Sequence, residues 1–111
     1  MKGDRAYLLH ILECIRRIEE DVQGGRRAFD ASHTVQDAVI RNLQVVAEST
    51  KRLSSGAKAS ESEINWRGIA AFRNVAVHDY FDVDLTAVWQ IVDGEIPALK
   101  AAVERMLRRD D

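Results

Sequence analysis

"RAYLLHILECIRRIEEDV", residues 5–22, decides the fold class. Tyr7, Leu8, Ile11, Leu12, Ile15, Ile18 and Val22 recur at three- and four-residue steps, which places them on one face of an α-helix. Charged residues fill the opposite face. "QGG" at 23–25 ends the helix, since Gly24 or Gly25 can take the left-handed position just beyond it. A helix with one apolar stripe must bury that stripe against something, so the rest of the chain has to supply partners.

Three further segments do so. "RRAFDAS" reads as a connector whose Phe29 docks on the core. Segment two starts at Ser32 or Thr34, both good N-caps, and carries Val35, Ala38, Val39, Leu43, Val46, Ala47 and Leu53 on one face. "SSGAKASESE" then reads as an exposed loop, the most mobile internal stretch expected. Segment three begins near Asn65, with Ser60 and Glu63 resembling a capping box one turn earlier. It buries Trp66, Ile69, Ala70, Phe72, Val75 and Ala76, and "HDYFDVD" breaks it. Segment four opens at Asp82 or Asp84 and runs through Leu85, Val88, Trp89, Val92, Ile96, Leu99, Val103 and Met106. Pro97 lies inside that pattern. It removes one backbone donor and crowds the carbonyl of Asp93, so a kink is expected near "DGEIP". The tail "RRDD" is expected to fray. The expected architecture is therefore all-α: an antiparallel four-helix bundle with a kinked C-terminal helix, forming a single domain over residues 1–111.

The totals agree and limit the function. A chain of 111 residues, 46% hydrophobic and 31% charged, suits one soluble core. The formal net charge of −2 gives no bulk attraction to nucleic acid, so any such binding must rest on local arginines. The single Cys14 forms no internal disulfide, and its place in an apolar stripe fits a buried residue in a reducing, cytoplasmic setting. The N-terminal stretch has charges throughout and no clean apolar core, which argues against a signal peptide. No uncharged apolar run approaches the roughly 20 residues needed to span a bilayer, so no membrane role is expected. Three scattered His and one Cys make no zinc spacing, and the Glu-x-x-His of bundle di-metal sites is missing, so no metal or cofactor is expected.

The chemistry concentrates in "AFRNVAVHDYF", residues 71–81. A helix that only packs has no need of Arg73, Asn74, His78, Asp79 and Tyr80 so close together. On a continuous helix Asn74 and His78 share a face, while Arg73 and His78 stand about 140° apart, within reach of a long side chain. Tyr80 joins them only if the helix ends near His78. Arg offers a planar charged fork for phosphate, and His takes or gives a proton near neutral pH. The pair suits cleavage of RNA by its own 2′-hydroxyl, with His as base or acid and Arg stabilising charge on the phosphoryl oxygens. One His cannot easily be both acid and base, and a two-fold homodimer would supply a second set. The bland reading stands beside this one. The helix dipole alone favours a C-terminal His, and an Arg beside an apolar stripe often only snorkels.

"RNVAVHDY" resembles the R-x4-H-x-Y signature of HEPN domains, specifically the HepT-like toxin subgroup. "INWRGIAAFRN" before it, "YFDVDLTAVWQIV" and "IPALK" after it, and "AVIRNLQVVAEST" upstream are similar to the flanking helices of that group. The resemblance covers most of the chain, from about Arg5 to Lys100. It implies a homodimeric, all-helical, metal-independent endoribonuclease that acts as a toxin. Arg73 and His78 would be catalytic, Asn74 would support phosphate binding, and Tyr80 would accept AMP from a small nucleotidyltransferase antitoxin. Phosphates on Tyr80 would occupy the place of the RNA phosphate. The chain departs from the pattern at Ala47, where Gly is expected, and at Gln44, where an acidic residue is common. These changes put in doubt a close helix contact and any role for Glu48.

Other residues read more plainly. His10 reads as a surface or boundary residue, and His33 as a helix-start residue that caps or faces solvent. Arg16, Arg17, Arg26 and Arg27 steer RNA or are solvated charge. Arg41 and Asn42, like Arg73 and Asn74, lie beside an apolar face and need partners. The competing functional class is a non-catalytic helical module, a nucleotide- or substrate-binding subunit of a nucleotidyltransferase, in which Arg73 and His78 hold phosphate without cutting it.

Overall fold

The computed structural model describes residues 2–74 and 84–110. All the described elements are helical. Helix α1 spans Lys2–Asp21, α2 Gly25–Ala31, α3 His33–Lys51, α4 Ser55–Ala59 and α5 Trp66–Ala70. A 3-10 turn over Ala71–Asn74 extends α5. Helix α6, Leu85–Gln90, passes through a π turn at Ile91–Glu95 into α7, Ile96–Asp110. The expected all-α helical bundle is what the chain forms.

Helix α1 is the central member. Its stripe is fully covered at Ile11, Ile15 and Ile18, between α3 on one side and α7 on the other. It runs antiparallel to both. Asp4 near its start accepts hydrogen bonds from the Ser54 N–H and hydroxyl, each at 2.8 Å, just beyond the end of α3. Glu19 near its end pairs with Lys100 at 2.9 Å in the first half of α7. The core continues through Val39, Leu43 and Val46 of α3 and Leu99 and Val103 of α7.

Local chemistry sets the helix starts. The Ser32 hydroxyl caps α3 by accepting from the Val35 N–H, and the Asn65 side chain caps α5 by accepting from the Gly68 N–H at 2.9 Å. The Asp84 carboxylate does the same for α6 through the Ala87 N–H. Of the caps the sequence suggested, Ser32, Asn65 and Asp84 function, while Thr34 and the Ser60–Glu63 box do not. Gly25 has φ of +78° and its N–H reaches the Val22 carbonyl at 2.9 Å, which turns the chain out of α1.

Several expectations are corrected. "RRAFDAS" is not an irregular connector but contains helix α2, because Phe29 anchors it: the ring is fully buried and lies 5.4 Å from Trp89. The stretch after α3 is not simply an exposed loop. Ser54 caps α4, and the Trp66 indole N–H donates to the Lys58 and Glu61 carbonyls. Glu61 then ties this stretch to the last helix, accepting from Arg105 and Arg109 at 2.7 Å each. The tail expected to fray is helical to Asp110 for the same reason. The irregularity expected near Pro97 takes the form of the π turn, closed by the Ile96 N–H on the Ile91 carbonyl. Widening the turn there accommodates a residue that has no N–H for the Asp93 carbonyl.

Candidate functional site

Helix α5 and its 3-10 turn present the first half of the R-x4-H-x-Y stretch. Ile69 and Phe72 are three positions apart and both are buried against the core. They fix the roll of this segment on α3. With that face inward, the next two residues, Arg73 and Asn74, lie outside and are exposed. Phe72 is thus the anchor that keeps the guanidinium in solvent.

Arg73 meets a carboxylate on the neighbouring helix. Its Nη1 lies 3.5 Å from Glu48 Oε1, and both side chains are about 50% exposed. An ion pair so open to water contributes about 0–1 kcal/mol, so a phosphate dianion or diester can displace the carboxylate without a large cost. Glu48 therefore steadies the guanidinium without occupying it permanently. The sequence offered no signal for this pairing, which joins positions on two different helices.

Glu48 also lines a groove. Between α1 and α3 an open depression of about 420 Å³ is bounded by Ala6, Tyr7, His10, Val45, Glu48, Ser49 and Arg52. His10 and Arg52 are exposed, and among the described residues their side chains have no hydrogen bond or ion pair. His10 is a surface residue, as its position suggested.

The remaining candidates are distributed elsewhere. His78 and Tyr80 lie outside the described residues, as do Val75, Ala76, Asp79 and Asp82. Asn42 folds back on its own helix, donating to the Ala38 carbonyl at 3.0 Å, and Arg41 is exposed. Arg16 is held between Glu13 and Glu20, and Arg17 lies 3.8 Å from Glu13. Arg26 pairs with Asp30 and donates to the Thr86 hydroxyl. Local carboxylates thus answer these three arginines, which fits solvated charge better than a free steering patch. His33 begins α3 and is exposed. Cys14 is buried, and burial pushes its thiol pKa up, so it stays protonated and inert. Among the described residues no group of three or more His, Cys, Asp or Glu is placed to hold a metal ion. No described helix is long and apolar enough to cross a membrane.

Comparison with known proteins adds the chemistry. A family model described as ribonuclease HepT-like matches residues 11–106. The chain is 34% identical over 106 residues to a probable ribonuclease HepT of Thermococcus cleftensis, covering 95% of this chain and 96% of the relative. It is 31% identical over 111 residues to a candidate RNase of Caldanaerobacter subterraneus subsp. tengcongensis, covering 99% of both. It is also 34% identical to a gamma-glutamylcyclotransferase and candidate RNase of Methanocaldococcus jannaschii, covering 99% of this chain and spanning 50% of that longer protein. No solved structure matches the chain.

Proposed function

The chain belongs to the HepT-like ribonuclease family, and on that premise we propose that it is a metal-independent RNA endonuclease. Its active site is built on Arg73 and His78, and it acts as the toxin of a toxin–antitoxin pair. The observation that carries the reading is the exposed guanidinium of Arg73, set outward by buried Phe72 and met, among the described residues, by the half-exposed, displaceable Glu48.

In this mechanism Arg73 holds the scissile phosphodiester through its planar fork, taking the place of Glu48. His78 removes the proton from the adjacent 2′-hydroxyl. The 2′-oxygen attacks phosphorus, the bond to the 5′-oxygen breaks, and that oxygen leaves with a proton delivered by an imidazolium. The products are a 2′,3′-cyclic phosphate and a 5′-hydroxyl. Arg73 stabilises the extra charge on the phosphoryl oxygens. Asn74, beside Arg73, supports the phosphate by hydrogen bonding. A homodimer supplies a second Arg73–His78 set, so one imidazole serves as base and the other as acid. DNA has no 2′-hydroxyl and is inert by this route.

Control is assigned to Tyr80. A small nucleotidyltransferase antitoxin transfers AMP to its phenolic oxygen, with pyrophosphate leaving from ATP. The added phosphate then competes with RNA for Arg73 and His78. The net charge of −2 favours a second reading, in which the module binds nucleotide without cutting RNA.

The deciding experiment is cleavage of labelled single-stranded RNA in EDTA by the wild type, Arg73→Ala and His78→Ala, with analysis of the product ends. Cleavage by the wild type alone, leaving 2′,3′-cyclic phosphate, is the expected result. Equal cleavage by His78→Ala refutes the assignment, and nucleotide binding with no cleavage by unmodified wild type moves it to the second reading. Tyr80→Phe should cut RNA but gain no AMP mass when the antitoxin and ATP are added.

A further inference from the structure

We propose that the groove between α1 and α3 is a subsite for a nucleotide flanking the phosphate held at Arg73, so that single-stranded RNA lies along the seam of these two helices. The inference rests on the ribonuclease reading for its substrate class and extends it to residues outside the R-x4-H-x-Y stretch.

Continuity is the first argument. Glu48 is shared: its carboxylate lines the groove and also lies 3.5 Å from the Arg73 guanidinium. A phosphate at Arg73 is therefore at the rim of the groove, and the neighbouring nucleotide has a depression of about 420 Å³ beside it.

The lining is the second. Ala6, Val45 and Ser49 are small or short and leave a shallow floor on which a flat ring can rest. Tyr7 and His10 stand along one wall, three residues apart on α1, and both offer aromatic faces for base stacking. Arg52 stands on the α3 wall, one helical turn beyond Glu48, with a side chain unengaged by any described residue. It is placed to pair with the next backbone phosphate. Glu48, once released from Arg73, can accept a hydrogen bond from an exocyclic base amine. A groove that combines aromatic faces with a cation unengaged by any described residue is suited to single-stranded nucleic acid with little sequence preference.

The test is titration of a fluorescein-labelled, uncleavable 2′-O-methyl RNA decamer, read by anisotropy. It compares the wild type, the double variant His10→Ala/Arg52→Ala, and Arg67→Ala as an exposed control outside the groove. We expect the double variant to raise Kd about tenfold, with the control within twofold of the wild type. Loss of one phosphate contact should also flatten the salt dependence of log Kd by about 0.7. Thermal melts of all three proteins should coincide, since both groove substitutions are at exposed positions. A Kd within twofold of wild type for the double variant overturns the proposal, as does failure of the wild type to bind the decamer. Light scattering provides a further arm: if the double variant changes oligomeric state, the groove is an interface between copies and the RNA assignment is wrong. Cleavage of ordinary RNA is measured separately. Binding that depends on the groove, without any cleavage, refutes the ribonuclease reading and leaves the groove standing. Cleavage with unaltered binding in the double variant does the reverse.

Discussion

Replacing Glu61 with Gln should lower the melting temperature at neutral pH and leave it almost unchanged in acid. The Glu61 side chain is only 9% exposed and its two oxygens accept from Arg105 and Arg109 at 2.7 Å each. The hydrogen bond from Arg105, and then that from Arg109, hold its pKa below the usual carboxylate value. Hydrogen bonds to a charged group contribute about 1.5–3 kcal/mol each. The two arginines are about half exposed, so solvent screening cuts the total to about 1–2 kcal/mol. With an unfolding entropy of about 2.1 cal/mol/K per residue, each kcal/mol moves the melting temperature of a chain this size by about 4 °C. Glu61→Gln should therefore melt about 4–8 °C below wild type at pH 7. Because the folded pKa is depressed, this stabilisation is present in full above the unfolded carboxylate pKa and is lost as pH falls through the folded one. Once Glu61 is protonated in the folded protein the two proteins carry equivalent neutral groups, and their melting curves should converge as the pH falls through the depressed folded pKa. Thermal melts by circular dichroism from pH 3 to 8 measure both effects. Coincident curves at pH 7, or a gap that persists in acid, would refute the claim that the Glu61 charge ties the turn after α4 to α7.

Phe29→Ala should cost about 3–5 kcal/mol in urea unfolding, because it empties a fully buried site and removes the ring facing Trp89. Gly25→Ala should cost about 1–2 kcal/mol in the same assay. A Cβ there meets nothing within 4 Å, so the cost comes from the φ of +78° alone. Arg73→Lys should melt with wild type yet cut RNA about 100-fold more slowly, since an ammonium keeps the charge but not the fork; equal rates would show that Arg73 acts only as a charge.

Much of the bundle was legible because burial leaves a periodic trace. The stripe of α1 and the one of α3 follow helical spacing, and the caps Ser32, Asn65 and Asp84 carry their own chemistry. What was not legible depends on partners distant in sequence. The order of the turn after α4 and of the final helical turn comes from Glu61 meeting Arg105 and Arg109, and α2 from Phe29 finding Trp89. Neither contact has a local signature. The site divides in the same way. Arg73 stood out as a polar residue beside an apolar stripe, whereas any role for Glu48 was put in doubt by the changes at Gln44 and Ala47 until α3 placed it opposite Arg73. Tyr7, His10 and Arg52 become a groove only when α1 and α3 lie side by side.

The central position of α1 also has a consequence in time. Its apolar face is closed by α7, as the Glu19–Lys100 contact across 81 residues of chain shows. During synthesis at about 5–20 residues per second, α1 therefore waits about 4–16 s for its final cover to be made. Ile11, Ile15 and Ile18 are incompletely shielded throughout that interval. Each nascent chain thus offers the apolar stripe of α1 to chaperones, or to other nascent chains, before Arg73 has a finished scaffold to stand on.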